Sequence, residues 1–171
     1  MHLRKTAEYW AENLDYSLLG PPNKDLYVKL SNCSCTLIAF SNGPRKYVKR
    51  VLEKLGLFDL FGEERLYAVD DVLPFCKPEK AAFEKIFNNI GNPAPETCIM
   101  VEDSMKNIRQ AKSIGMKTVL ITGKGEHGRI LLEDRPQISD SSVDCSMETI
   151  DDFFKVLPGL LEDTPVFEPK P

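Results

Sequence analysis

At 171 residues the chain is the size of one domain, long enough to bury a real core. Its 42% hydrophobic and 28% charged content fits an ordinary globular protein, while a net charge of −4 and the lack of any Lys/Arg block argue against a nucleic-acid partner. No apolar stretch approaches the ~18 residues of a bilayer span, and the N-terminus, MHLRKTAEYWAENL, lacks a signal-peptide apolar core. A cytoplasmic location and no membrane partner are the expectations. The five cysteines (Cys33, Cys35, Cys76, Cys98 and Cys145) read as reduced core thiols. Cys33-Ser34-Cys35 is not a CxxC pair, has no neighbouring His and receives no role.

In chain order, residues 3–14 suit an amphipathic helix with Leu3, Ala7, Trp10 and Leu14 near one face. Gly20-Pro21-Pro22 breaks the chain, and residues 23–30 read as helical without a clear period. A strand over 35–40 runs into the turn Ser41-Asn42-Gly43. Pro44 then opens a helix carrying Val48, Val51, Leu52 and Leu55 at i, i+3, i+4 and i+7, and Gly56 ends it. Arg45, Lys46, Lys49 and Arg50 fall on its other faces and read as solvated surface. A second strand over 65–69 leads to Asp70-Asp71, and Pro78 marks the next helix, whose stripe is Ala82, Phe83, Ile86, Phe87 and Ile90 before Gly91. A third strand over 97–101 ends at Glu102-Asp103-Ser104. The helix after it buries Met105, Ile108, Ala111 and Ile114, stops at Gly115, and precedes a fourth strand over 117–121. Residues 123–142 read as loop with a short apolar turn at Ile130-Leu131-Leu132. A short edge strand at 143–145 and a closing helix through Ile150, Phe153, Phe154 and Leu157 follow, and the Pro-rich tail after Glu162 reads as disordered.

Alternation of strand and helix predicts an α/β fold with a parallel sheet flanked by helices. Ligands of such sheets bind beyond the carboxyl ends of the strands. Four apolar runs end there in CTLIAF-Ser41-Asn42, RLYAV-Asp70-Asp71, TCIMV-Glu102-Asp103 and TVLI-Thr122. Adjacent carboxylates at a buried strand end are costly without a cation, and Mg²⁺, a hard ion that shares ligation with a substrate phosphate, suits Glu102 and Asp103. Asp103 or Ser104 could instead cap the next helix. Lys77 can reach the same crevice as a point charge for a phosphoryl oxygen, though a Lys before Pro is often plain surface. Ser41 and Asn42 offer a hydroxyl and backbone N–H groups facing a helix N-terminus, an arrangement that also occurs in generic turns. Gly123-Lys-Gly125-Glu-His-Gly128 matches G-x-G-x-x-G, but no helix and second strand follow on schedule, so a dinucleotide site is rejected and His127 is read as an exposed loop residue.

On these residues the chain resembles the haloacid dehalogenase-like (HAD) superfamily of phosphohydrolases from about Ser34 to Gly125. LIAFSNGPRKYVKRVLEKLGL is similar to motif II, CKPEKAAFEKI to motif III with Lys77 as its lysine, and CIMVEDSMKNIRQAKSIGMKTVLI to motif IV with Glu102 and Asp103 as its acidic pair. Within the superfamily the segment looks most like the pyrimidine 5′-nucleotidase-like branch. The resemblance implies a Rossmann-like HAD core and a phosphatase acting on small phosphomonoesters, among them nucleoside 5′-monophosphates, through a phosphoaspartate with Mg²⁺ as cofactor. It implies that Ser41, Asn42 and Lys77 hold the phosphoryl group, that Lys77 also serves catalysis, and that Glu102 and Asp103 bind the metal.

The departure lies in motif I. No Asp-x-Asp occurs anywhere in the 171 residues. Residues 1–20 look like the remnant of a helical cap, 21–157 like the core and 158–171 like a tail, so the expectation is a core lacking its first strand and most of its cap. Such a chain is expected to be inactive alone. Loss of a central ladder would uncover two strand edges, a surface for self-association. The alternative expectation is a non-catalytic pseudophosphatase module that pairs with another chain. A receiver-type signalling domain shares the acidic strand ends, but in the reverse order.

Overall fold

A computed structural model describes Tyr9, residues 11–123 and residues 136–160. The expectations for Leu3, Ala7, Trp10, His127, the rest of the glycine-rich loop after Gly123, Ile130-Leu131-Leu132 and the Pro-rich tail lie outside the described residues. The chain divides into two units, Met1–Asp70 with Leu157–Pro171, and Asp71–Val156. No described helix is long and apolar enough to cross a membrane.

In the first unit, residues 11–13 are helical and bury Ala11, while Leu14, expected on the apolar face, is exposed. Asn23 caps α1 (Lys24–Ser31) by accepting the Leu26 N–H at 3.0 Å, and Leu26 is its one buried residue, which is why no period was visible. β1 (Ala39–Phe40), α2 (Arg45–Lys54), α3 (Phe58–Phe61) and β2 (Leu66–Tyr67) follow. The two strands run parallel with Ala39 opposite Leu66 and Phe40 opposite Tyr67. β1 is shorter than predicted, starting at Ala39, and upstream of it Ser34 gives both its N–H and its hydroxyl to the Leu160 carbonyl. Val48, Leu66 and Ala68 form the core, covered by Tyr47, Leu52 and Phe58.

α2 ends as its pattern predicts. Gly56, at φ 69°, sends its N–H to Glu53 O, and Leu57 sends its N–H to Leu52 O, the paired bonds of a Schellman cap. The basic residues of α2 are not merely solvated. Arg45 donates to Leu66 O (2.6 Å) and to Glu63, Lys46 pairs with Glu12, Lys49 pairs with Glu63, and Arg50 stacks over the Tyr16 ring.

The chain passes into the second unit within α4 (Val69–Val72). α5 (Lys80–Asn89) buries Ala82, Phe83 and Ile86. It begins two residues after Pro78, because the Glu79 carboxylate accepts the Cys76 N–H and closes a turn first. β3 (Ile99–Glu102), α6 (Met105–Ser113), β4 (Lys117–Ile121), β5 (Cys145–Met147) and α7 (Phe153–Val156) complete the unit. The three strands are parallel in the order β3-β4-β5, with Ile99 opposite Lys117 and Val119 opposite Cys145. α6 packs Met105 and Ile108 onto Leu120, all fully buried, with Val143 alongside. Among the described residues the strands thus form two parallel sheets, one in each unit, flanked by helices. The edge strand starts two residues later than predicted. The cysteines, read as core thiols, are free, and none is fully buried: Cys35 is exposed and the other four are half-buried.

The start of β5 is fixed to β4 by a polar cluster rather than by apolar packing. Thr118, fully buried, gives its N–H to Asp144 Oδ2 at 2.9 Å and its hydroxyl to Ser142 O at 2.5 Å, while Lys112 pairs with the other Asp144 oxygen. Asp144→Ala leaves the buried Thr118 amide short of its acceptor, and is expected to lower stability by about 1–3 kcal/mol in urea unfolding.

Candidate functional site

β3 carries its last residue, Glu102, to the carboxyl end of the strand, and α6 begins three residues later. Lys77, from the loop before α5, places its ammonium 2.7 Å from Glu102 Oε2, and the two side chains are only 7% and 10% exposed. Burial on this scale is costly for both ions unless every polar atom is bonded. Glu102 meets that demand: Oε2 also accepts the Asn107 side-chain amide at 3.0 Å, and Oε1 accepts the N–H groups of Asp103 (3.1 Å) and Ser104 (3.3 Å). Ser104 occupies the N-cap position of α6 without a side-chain cap, and its own N–H goes to Glu102.

Asp103 behaves differently. Its residue is exposed, yet its carboxyl is pushed up to about 6, first by the hydrogen bond it shares with Glu102, then by partial desolvation and the Glu102 charge. Burial alone would raise Glu102 as well. The Asp103 hydrogen bond and the Lys77 ammonium outweigh it and hold Glu102 below the ordinary carboxylate range. The adjacent pair is therefore unequal: Glu102 is a saturated anion, and Asp103 is the carboxyl that gains or loses the proton. The structure brings Lys77, Glu102 and Asp103 together within the second unit.

Ser41 and Asn42 lie in the first unit, at the end of β1, with Ser41 half-buried and Asn42 exposed. Their turn hangs on the chain after β2 by three hydrogen bonds: Ser41 N–H to Tyr67 O (2.9 Å), Val69 N–H to Gly43 O (3.2 Å) and Arg45 N–H to Asp70 Oδ2 (2.7 Å). Ser41 Oγ accepts the Gly43 N–H at 3.0 Å. A Cβ on Gly43 would sit 2.9 Å from the Tyr47 ring and 3.3 Å from Ser41 Oγ, so glycine is what lets the turn close against the helix. Asp70 caps α2 from 25 residues away, a job that Pro44, at the N-cap position, cannot do. The sequence assigns Asp70 no role, because a cap supplied from a distant element has no local spacing. Asn107 was visible only as part of the motif IV pattern, with no role attached.

Residues 29–115, just over half of the chain, match the family model for haloacid dehalogenase-like hydrolases. The chain belongs to that family. It is 25% identical over 153 residues to a phosphoglycolate phosphatase of Pseudomonas syringae pv. syringae, a match covering 90% of this chain and 51% of the relative. The HAD phosphatase of Thermococcus onnurineus is similar in structure, with TM-score 0.60 and 28% identity over 81% of this chain and 58% of that one. A putative HAD-hydrolase of Bacillus subtilis bound to magnesium shares the fold, with TM-score 0.59 and 20% identity over 77% of this chain and 52% of that one. The chain spans about half the length of the curated relatives it matches. The HAD core implied by motifs II to IV is thus shown by the family match and by the parallel α/β architecture.

Two outcomes follow from this geometry. Lys77→Met strands a buried carboxylate and should cost about 3 kcal/mol in chemical unfolding, a loss that Lys77→Met/Glu102→Gln should partly recover. Asp103 has a folded value of about 6 against an ordinary 3.8, so its contribution to stability is full below 3.8 and is lost as pH rises through 6. The difference in Tm between wild type and Asp103→Asn should therefore change between pH 4 and pH 7 and stay flat above that.

Proposed function

We propose that this chain supplies the phosphate- and metal-handling part of a HAD-type phosphatase for small phosphomonoesters. The single observation that carries the proposal is the Lys77–Glu102–Asp103 cluster at the carboxyl end of β3, in a chain of this family. Within its own unit, each side chain has a role that its surroundings support. Lys77 presents a fixed positive charge for phosphoryl oxygens, kept in place by Glu102. In the first unit, the Ser41 hydroxyl oxygen already accepts from Gly43, which leaves its proton to donate to an oxyanion, and Asn42 stands beside it in the same turn.

The donor set fits Mg²⁺. Among the described residues no group of three or more acidic, His or Cys side chains encloses a cation. Mg²⁺ does not need one, since it commonly takes one or two carboxylates and completes its shell with water and substrate phosphate. Asp103 is the carboxylate that would hold it, because Glu102 has both oxygens engaged by donors. When bound, the ion supplies charge neutralisation at the phosphoryl group. The magnesium bound to the Bacillus subtilis neighbour supports the same choice of ion.

The attacking carboxylate comes from outside these 171 residues, which contain no Asp-x-Asp. The phosphoaspartate route then belongs to the polypeptide or assembly that provides one, and this chain alone is inactive. Nucleoside 5′-monophosphates are the first substrates to test, beside phosphoglycolate, the substrate named for the Pseudomonas relatives. The same missing aspartate favours a second reading, a pseudophosphatase module that pairs with another chain; a strictly monomeric mass by light scattering would count against it.

The purified chain should show no Mg²⁺-dependent phosphate release from either substrate class above background. It should nevertheless bind Mg²⁺ in calorimetry, more tightly as pH rises through 6, with binding abolished in Asp103→Asn. Turnover by the chain alone would sink the first claim, and Mg²⁺ binding unaffected by Asp103→Asn would sink the metal assignment.

A further inference from the structure

Asn107 is a buried polar residue with no place yet in the proposed chemistry. It is the third residue of α6, 7% exposed, on a helix whose other buried positions, Met105, Ile108 and Ala111, are fully enclosed and apolar. An amide in such a stripe is costly unless bonded, and a leucine would serve packing better. What the amide has that a leucine lacks is a donor, and Asn107 Nδ2 gives it to Glu102 Oε2 at 3.0 Å, the oxygen that also meets Lys77 Nζ at 2.7 Å. The other Glu102 oxygen is held by two backbone N–H groups, so it stays where the chain puts it. Oε2 has only side chains to direct it. Lys77 is long and has many rotamers, whereas Asn107 is short and rooted in a packed helix, so Asn107 is the better anchor.

Charge makes the choice of amide meaningful. Lys77 and Glu102 form an ion pair, and Asp103 is the second carboxyl of the cluster. A cationic donor at position 107 would leave Glu102 with two counter-ions and reduce the field at Asp103. An acidic residue there would repel Glu102. A neutral donor fixes the geometry and leaves the charge count alone.

We propose that Asn107 is a positioning residue of this site: its side-chain amide holds Glu102 Oε2 against the Lys77 ammonium, which keeps Lys77 aimed and leaves Asp103 to meet the cation. The proposal rests on the reading of the cluster as a phosphate and metal site, but its first test does not need metal. In ¹⁵N-lysine-labelled chain, a hydrogen-bonded, solvent-protected Lys77 ammonium gives its own resonance, assigned by its disappearance in Lys77→Met. Asn107→Leu, which keeps the number and branching of side-chain heavy atoms and removes the donor, should abolish or shift that resonance while the amide signals of Thr118 and Leu120 stay in place. Asn107→Ala should do the same if the leucine variant fails to fold. A Lys77 signal unchanged in both variants overturns the proposal.

Mg²⁺ calorimetry on the same proteins separates the two readings. Removing a group that orients a ligating site typically costs 10–100-fold in metal affinity, so Asn107→Leu should weaken Mg²⁺ by about tenfold. In a Glu102→Gln background it should have almost no further effect, since Asn107 acts through Glu102. Fully additive losses would count against that coupling. If the wild-type chain binds no Mg²⁺ while Asn107→Leu still releases Lys77, the metal reading fails and the positioning role stands.

Discussion

A lysine ammonium and a glutamate carboxylate 2.7 Å apart, both shut away from water, set the terms for the second unit. Such a pair is tolerated only where the geometry is good and the remaining lone pairs are filled. Much of the local architecture can be understood as meeting that condition. β3 has to end at Glu102, so that two following backbone amides turn back onto Oε1. α6 has to start at once, so that its third residue reaches Oε2. The loop before α5 has to return Lys77 to the strand end from 25 positions earlier in the chain.

The pair also explains why two neighbouring acidic residues are not equivalent. Glu102 receives a cation, an amide and two backbone donors, and remains an anion despite burial. Asp103 has a carboxylate for its nearest partner, and its carboxyl rises to about 6. One carboxylate is spent on structure, and the other is tied to it by a hydrogen bond that, with partial burial, favours its protonated form. The first unit uses a carboxylate in a simpler way. Asp70 accepts the Arg45 N–H at the start of α2, where the helix dipole favours an anion, and so helps hold the Ser41–Gly43 turn in shape.

Most of the elements could be read from the chain because their causes are local. Val48, Val51 and Leu52 recur at helical spacing, and Gly56 and Gly115 end their helices at positive φ with the bonds such a cap needs. The four apolar runs became parallel strands, although β1 and β2 keep only two ladder residues each. Glu102 and Asp103 could be singled out because a strand end followed by acidic residues and a helix is a local pattern too, whereas the meeting of Lys77 with Glu102 spans 25 residues. Arg45 could not: its guanidinium looked like one more surface charge, and only the arrival of Glu63 and Leu66 O beside it made it a brace. Asp70, Asn107 and the Ser34–Leu160 clasp escaped for the same reason.

By itself the sequence determined the periodicity of each segment, the stop signals between them and the residue types available at each strand end. These depend on spacings of two to seven residues, which the backbone geometry of helix and strand reads directly. Tertiary structure decided which polar groups face which, and therefore that Glu102 would be paired with the Lys77 ammonium and hydrogen-bonded by Asn107, while the Asp103 carboxyl would be raised. That outcome depends on desolvation and on distances between segments brought together by packing, and neither quantity exists until the chain is folded.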